Sequence, residues 1–160
     1  LTKDISEYLD ENVKLNFIKN KEHTKSYKIA YHSACSMQHG QRIHDVPMNL
    51  IRKTGNKVFN IPDGHFCCGS AGTYNLLQND IAKKLLKNKI SNINKINPEF
   101  ITTGNIGCIK QIEKKINVPI LHLPQLVGLA LGFSSKEMNL QRHLVSTAPV
   151  EDWISVEVKA

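Results

Sequence analysis

Short apolar runs alternate with longer amphipathic stretches along most of the chain, and this alternation restricts the fold more than any other feature. Four of the runs have the length and the β-branched or aromatic content of buried strands: YKIAYH (Tyr27–His32), KVFNIP, EFITTG and VPILHL. A helical pattern follows each of them. Strands that alternate with helices in this way predict an α/β fold with a mostly parallel sheet.

The helices are predicted from apolar spacing and from the residues that begin or end them. The clearest covers about Asn79–Asn97, where apolar residues recur at helical spacing until Pro98 ends the pattern. The other predicted helices cover residues 2–13, 46–55, 73–78, 109–116 and 124–132. Residues 134–160 have no clear period. We therefore predict one domain over residues 1–133 and a C-terminal tail over residues 134–160.

A net charge of +7 raises the question of nucleic-acid binding, but the composition argues against it. The chain has 18 lysines against 3 arginines, and only 6% of its residues are aromatic. Nucleic-acid binding surfaces use arginine for bidentate contacts and aromatic rings for stacking on bases. We predict solvated surface lysines and no nucleic-acid partner. No apolar run has the length of a transmembrane helix, and none is predicted.

Each of the four cysteines follows a predicted strand. Cys35 follows the first strand, the adjacent Cys67 and Cys68 follow the second, and Cys108 follows the third. Because the carboxyl ends of parallel strands meet at one edge of a sheet, we expect these thiols to converge. A chain of this size folds without disulfide bridges, and adjacent cysteines pair with each other only in a strained ring. A metal or cluster site in a reducing compartment is favoured.

Four thiolates are the ligand set of either a tetrahedral zinc ion or a 4Fe–4S cluster. Zinc usually takes its cysteines from spaced C-x2-C pairs, which the chain lacks, so an iron–sulfur cluster is favoured and zinc is the alternative. Gly69, Gly72, Gly104 and Gly107 allow the backbone to bend sharply or to approach a bulky inorganic group. A site without metal, with a reactive thiol in the cysteine pair, ranks lower.

Several histidines lie near the cysteines in the sequence. His32 and His39 lie three residues before and four residues after Cys35, and loop packing or a capping hydrogen bond is favoured for both over metal binding. His65, two residues before the cysteine pair, is the better candidate for a hydrogen bond to a cluster sulfur. His122 is predicted to face the core or a neighbouring domain.

Several strings of the chain resemble the cysteine-rich CCG domain of iron–sulfur oxidoreductases: YHSACSMQHGQRI, CCGSAGTYNLLQ, TTGNIGCIKQI and VPILHLPQLV. That family includes heterodisulfide reductase subunits, lactate-utilisation proteins and the glycolate oxidase iron–sulfur subunit, whose C-terminal domain is the most similar. The resemblance covers roughly residues 2–131. It implies an iron–sulfur cluster held by Cys35, Cys67, Cys68 and Cys108.

The resemblance also implies a function. The chain would be part of an electron-transfer subunit that relays electrons from a flavin-containing glycolate oxidase subunit towards a quinone-type acceptor. It would not oxidise the 2-hydroxy acid by itself. Its expected partners are the flavoprotein subunits and a ferredoxin-like N-terminal part of its own, longer chain. Its expected location is the cytoplasm, with the inner face of the plasma membrane as an alternative.

One position departs from the fullest pattern of the family, which ends in C-x-x-C. The first of these two cysteines is Asn105 here, so a five-cysteine cluster is not expected, whereas four thiolates suffice for a cubane. Asn105 is expected to donate a hydrogen bond or to act as a weak oxygen ligand, and Gly69, Gly72 and Gly107 to shape the pocket. The alternatives are a structural or assembly module that binds zinc or no metal, and a subunit of the heterodisulfide-reductase or lactate-utilisation type.

Overall fold

The computed structural model of the chain describes residues 2–15, 17 and 26–140. Within them, strands pair in parallel in the order β2-β1-β3-β4, with bounds β1 (Lys28–His32), β2 (Lys57–Asn60), β3 (Phe100–Thr103) and β4 (Ile120–His122). The chain first moves outward from β1 to β2 and then returns past β1 to β3. The strand order therefore reverses between β1 and β3, the place where open parallel sheets bind ligands. The predicted α/β class is confirmed.

The described α-helices correspond to the predicted ones, with somewhat different bounds. The helix predicted over residues 109–116 begins instead at Ile106, because Asn105 caps it, and it therefore contains Cys108. They are α1 (Ile5–Asn12), α2 (Val46–Lys53), α3 (Tyr74–Leu77), α4 (Asn79–Ile96), α5 (Ile106–Ile112) and α6 (Leu123–Ala130). Asp4 caps α1 by accepting from the Ser6 amide, and this cap explains why the helix starts later than residue 2. Within the described residues, no helix is at once long and apolar enough to cross a membrane.

The sheet is buried between two layers of helices. Ala30, Ile101 and Ile120 face one side, where they pack with residues of α4 and α5. Ile29 and Phe100 face the other side and pack with residues of α2 and α6. Successive side chains of a strand point to opposite faces, so each central strand contributes to both cores. The edge strand β2 is mostly exposed.

The chain leaves β1 through a π-helical segment, Ser36–Gln41, that the sequence did not predict. Its buried residue is Met37, and Arg42 ends it in the left-handed conformation at φ 59°. A Cβ on Gly104 would lie 2.6 Å from Met37 Sδ. The glycine at position 104 therefore leaves room for this methionine, and through it the π-helical segment packs against the turn after β3.

The first residues of the predicted tail pack against the domain. Gln125 Nε2 donates to the Met138 carbonyl at 2.7 Å, and Leu140 is buried in the core formed with α2 and α6. Residues 141–160 lie outside the described residues. The division at residue 133 stays a prediction.

Candidate metal centre

The cysteines lie at the edge of the sheet where the strand order reverses. Cys35 directly precedes the π-helical segment after β1, Cys67 and Cys68 lie in the loop after β2, and Cys108 lies in the first turn of α5 after β3. Ser70 Oγ lies 3.3 Å from Cys68 Sγ and 3.8 Å from Cys108 Sγ, so its hydroxyl bridges these two thiols. Loops separated along the chain thus meet at one place, as the sequence predicts.

Two of the thiols, those of Cys68 and Cys108, form a buried pair. The hydrogen bond with Cys108 is the largest cause that lowers the pKa of Cys68, to about 3, and the nearby His32 ring and Ser70 contribute. The same hydrogen bond, together with burial, raises the pKa of Cys108. The lowered pKa of Cys68 favours its thiolate, the form that binds metals.

The other two thiols are half-buried and also interact with each other. Burial is the largest cause that raises the pKa of Cys35 to about 11, and the charges of Cys67 and Cys68 act in the same direction. Negative charge on all four sulfurs is thus unfavourable without a cation among them. A metal ion or cluster would supply that positive charge.

The loop of the cysteine pair is shaped by a glycine that approaches α4. Gly69 has φ +87°, and a Cβ there would lie 2.5 Å from the Ala82 carbonyl oxygen. Its amide donates to Cys67 Sγ at 3.2 Å. Gly72 also has a positive φ, +48°, but an added Cβ would meet nothing within 4 Å. Of these two glycines, only Gly69 is required by close packing.

Asn105 begins α5 and orients Cys108. Its Oδ1 accepts from the Gly107 amide at 2.8 Å and from the Cys108 amide at 3.2 Å, which makes it the N-cap residue. A Cβ on Gly107 would lie 3.1 Å from Asn105 Oδ1 and 3.6 Å from Ser70 Oγ. Because Oδ1 accepts hydrogen bonds from two amides, Nδ2 is the group of Asn105 that could donate a hydrogen bond to a cofactor.

His32 is the site residue that the sequence interpretation missed. It ends β1, its side chain is 1% exposed, and neither ring nitrogen makes the capping hydrogen bond expected for it within the described residues. Ligand atoms of His32, Cys68 and Cys108 all lie within 4.8 Å of one another. Strand alternation places His32 on the same face as Ala30, the face covered by α4 and α5, and this alternation is the signal that could have identified it.

Other buried polar groups near His32 also lack partners. Among the described residues, Ser33 Oγ and Thr103 Oγ1 are buried without a hydrogen bond, and Thr103 pairs with His32 in the register of β1 and β3. Buried polar atoms without a partner are uncommon because they lose their hydration. Their position at the reversal point, beside thiolate and imidazole donors, fits a metal ion or cluster held here.

A buried lysine faces the same thiols. Lys89 lies on α4, is 1% exposed, and donates from Nζ to the Asp63 carbonyl at 3.3 Å. Burial lowers the pKa of Lys89, and the negative charges of Cys68, Cys35 and Cys67 oppose this effect. The sequence interpretation treated the lysines as surface residues and missed this one. The sequence feature that indicates the burial of Lys89 is its position between Leu86 and Ile93 in the apolar stripe of α4.

Sequence comparison with known families matches residues 29–113 to the family described as CCG, cysteine-rich domain. The match covers more than half of the chain and includes all four cysteines. The chain belongs to the CCG cysteine-rich domain family. The resemblance inferred from the cysteine strings is confirmed.

Curated relatives of this CCG domain are longer proteins. The glycolate oxidase iron-sulfur subunit of Escherichia coli K12 is 36% identical over 104 residues, which are 65% of this chain and 26% of the relative. Lactate utilization protein A of Anoxybacillus flavithermus is 24% identical over 107 residues, 63% of this chain and 45% of the relative. Lactate utilization protein A of Geobacillus kaustophilus is 21% identical over 133 residues, which are 79% of this chain and 54% of the relative. The chain thus spans about a quarter to a half of the relatives' lengths.

The other three histidines singled out from the sequence, His39, His65 and His122, make contacts with other groups. The His65 ring packs on the Phe66 ring at a centroid distance of 4.2 Å, and His39 Nε2 lies 3.4 Å from the His65 carbonyl oxygen. His122 ends β4 and takes part in the cap of α6. Of the four histidines singled out from the sequence, only His32 lies in the cluster with Cys68 and Cys108.

Proposed function

We propose that this CCG domain is an iron–sulfur electron-transfer module of a glycolate oxidase-type complex. In this proposal Cys35, Cys67, Cys68 and Cys108 hold the cluster, and a 4Fe–4S cubane is the type that four thiolates support. The convergence of the cysteine loops beside buried, unpartnered polar atoms is the observation that carries the proposal. The likeness to an iron-sulfur subunit supports it further. When bound, such a cluster supplies one-electron oxidation and reduction.

The residues of the chain would bind the cluster, exclude water and tune its charge. Cys68 and Cys108 are almost fully buried, so water is kept from that side of the centre. The Gly69 amide donates to Cys67 Sγ, and hydrogen bonds of this kind stabilise the more negative, reduced form. Asn105 would cap α5, Gly72 would allow the loop of the cysteine pair to take a positive φ, and Gly107 would leave room for Asn105 Oδ1 in the first turn of α5.

The partners proposed for the domain are the flavin-containing subunits of the complex and a ferredoxin-like part of a longer chain. Electrons would arrive from the flavin and leave towards a quinone-type acceptor, in the cytoplasm or at the inner face of the plasma membrane. Leu76 and Leu77 of α3, 78% and 77% exposed, follow the loop of the cysteine pair and support a docking surface for the flavoprotein there. The 2-hydroxy acid would be oxidised on that partner.

Metal analysis of the anaerobically purified protein tests the proposal. Iron, sulfide and zinc are assayed, and electron paramagnetic resonance spectra are recorded before and after dithionite reduction. We expect about four irons and four sulfides per chain and a signal that appears on reduction. Stoichiometric zinc without iron, or no metal after cluster reconstitution, would contradict the proposal and favour a structural or assembly module.

Thiol–disulfide chemistry is a second candidate function, since the pKa of Cys68 is lowered to about 3. Cys67→Ala and Cys68→Ala, prepared separately, distinguish it from cluster binding. Equal loss of iron in both variants is expected if both cysteines are ligands. Loss of turnover with the iron content intact would instead support a redox-active thiol.

A further inference from the structure

We propose that His32 is a protein ligand of the metal centre, beside the cysteines. The proposal rests on the proposed function in one respect: it concerns how the centre of that module is held. A cubane has four irons and takes one protein ligand at each, so the imidazole, which a strand of the sheet supplies, would replace one thiolate as the ligand of one iron.

The position of His32 meets the requirements of a ligand. Its ring, Cys68 Sγ and Cys108 Sγ place three ligand atoms within 4.8 Å of one another, a spacing that one metal atom can bridge. A neutral imidazole nitrogen is a ligand of zinc and, in some iron–sulfur clusters, of iron in place of cysteine. His32 is the last residue of the central strand β1, and its backbone position is set by pairing with Thr103 of β3.

The hydrogen bonding of His32 is otherwise unexplained. Both ring nitrogens are buried, neither makes a well-formed hydrogen bond among the described residues, and the Cys68 thiol is a polar group close to the ring. A buried imidazole without partners loses the hydration of both nitrogens, which is costly. A metal bond at one nitrogen would supply one of the two missing interactions and lower this cost.

Other side chains at the reversal point are less suited to complete the ligand set. Asn105 Oδ1 is engaged by the amides of Gly107 and Cys108. Lys89 is a cation and repels a metal rather than binding it. Among the described residues, the imidazole is the one buried non-thiol donor grouped with these sulfurs.

Spectroscopy on the full chain tests the proposal without a variant. The protein is labelled with 15N-histidine in a 14N background, reduced with dithionite, and examined for hyperfine coupling between the electron spin and 15N. We expect a coupling strong enough for direct ligation. It should persist in His39→Asn, a matched control because His39 is exposed in the π-helical segment, and disappear in His32→Cys, where a thiolate replaces the imidazole.

A second measurement uses Co²⁺ as a probe of the metal-free protein. We expect His32→Ala to weaken Co²⁺ binding about 100-fold and His39→Asn to leave it unchanged, since removal even of groups that only support a ligand costs 10–100-fold. Circular dichroism of each variant establishes that it is folded.

The outcomes separate the two proposals. A cluster without 15N coupling, together with wild-type Co²⁺ affinity in His32→Ala, would overturn the ligand role and leave the proposed function standing. No iron, but Co²⁺ or Zn²⁺ binding that depends on His32, would overturn the electron-transfer function and support the ligand role. Failure of the wild-type chain to bind any of these metals would overturn both.

Discussion

At the scale of single residues, Lys89 is the least expected feature of the protein. Lysine is among the residues least often buried, because its ammonium group loses hydration unless a negative charge compensates. Lys89 donates a hydrogen bond to the Asp63 carbonyl, and negative charge comes from the cysteine thiols and, to a smaller extent, from the Asp63 carboxylate. This arrangement places a fixed positive charge beside the candidate centre.

Removal of that charge is expected to lower the reduction potential of the centre. Lys89→Met should lower it by about 60 mV or more, equivalent to a tenfold change in a one-electron equilibrium, because the reduced and more negative form loses a cation. Redox titration followed by electron paramagnetic resonance measures this shift. Lys87→Met, an exposed lysine of the same helix, is the matched control. Equal potentials in the two variants would show that Lys89 has only a packing role.

Asn105 permits a second prediction at this scale. Asn105→Ala removes the side chain that accepts from the Gly107 and Cys108 amides, and should cost about 1 kcal/mol of unfolding free energy. Asn105→Ser keeps a capping oxygen and should retain most of the stability. Urea unfolding of the metal-free protein measures both, with Asn88→Ala on the exposed side of α4 as the control. A stability of Asn105→Ala equal to wild type would contradict the capping role.

At the scale of elements, the site depends on how the loop after β2 is seated on α4. Asn92 Nδ2 donates to the Pro62 carbonyl at 3.0 Å, and Lys89 reaches the Asp63 carbonyl, so α4 holds the beginning of this loop. Gly69 brings the end of the loop onto the Ala82 backbone of the same helix. The helix therefore fixes the cysteine pair from both sides.

This arrangement predicts different outcomes for the two glycines of the loop. Gly69→Ala should destabilise the protein by about 3 kcal/mol or more, because the new Cβ meets the Ala82 carbonyl and the left-handed backbone is strained. Gly72→Ala faces open space and should cost only about 1 kcal/mol for its backbone conformation. Thermal or urea unfolding measures the stability of the two variants relative to wild type. If Gly72→Ala lowers the free energy of unfolding more than Gly69→Ala does, close packing against α4 is not the reason for a glycine at position 69.

At the scale of the whole molecule, the short helix that follows the loop of the cysteine pair leaves two leucines exposed. α3 contacts α4 and presents Leu76 and Leu77 to solvent, whereas the core of the opposite face is covered by α2 and α6. In the proposed complex, these leucines would be covered by the flavoprotein subunit.

The docking proposal predicts that Leu76→Ser/Leu77→Ser weakens co-purification of the flavoprotein subunit at least tenfold while the iron content stays at the wild-type level. The physical reason is the loss of apolar area at the contact. Tyr8→Ser on α1, 52% exposed and on the other face of the sheet, is the control. Unchanged association of the double variant would exclude α3 from the interface.

Much of this molecule could be predicted because its signals are local. Apolar runs such as YKIAYH define strands, helical spacing defines α4, and the alternation of the two fixes a parallel sheet. Once the sheet is parallel, cysteines that directly follow strands must come to one edge. The fold class and the meeting of the cysteine loops follow from these features alone.

Contacts between segments that are distant in the sequence determine the features of the site that could not be predicted. The sequence shows His32 at the end of a strand, but only the packing of α5 and the loop after β2 places two thiols beside its ring. Lysine is usually a surface residue, and Lys89 is buried only because the apolar stripe of α4, which contains it, packs inward. The π-helical segment depends on the fit of Met37 against Gly104 across β1 and β3. Side-chain periodicity indicates which face a residue occupies, whereas its neighbours on that face come from other parts of the chain and depend on tertiary packing.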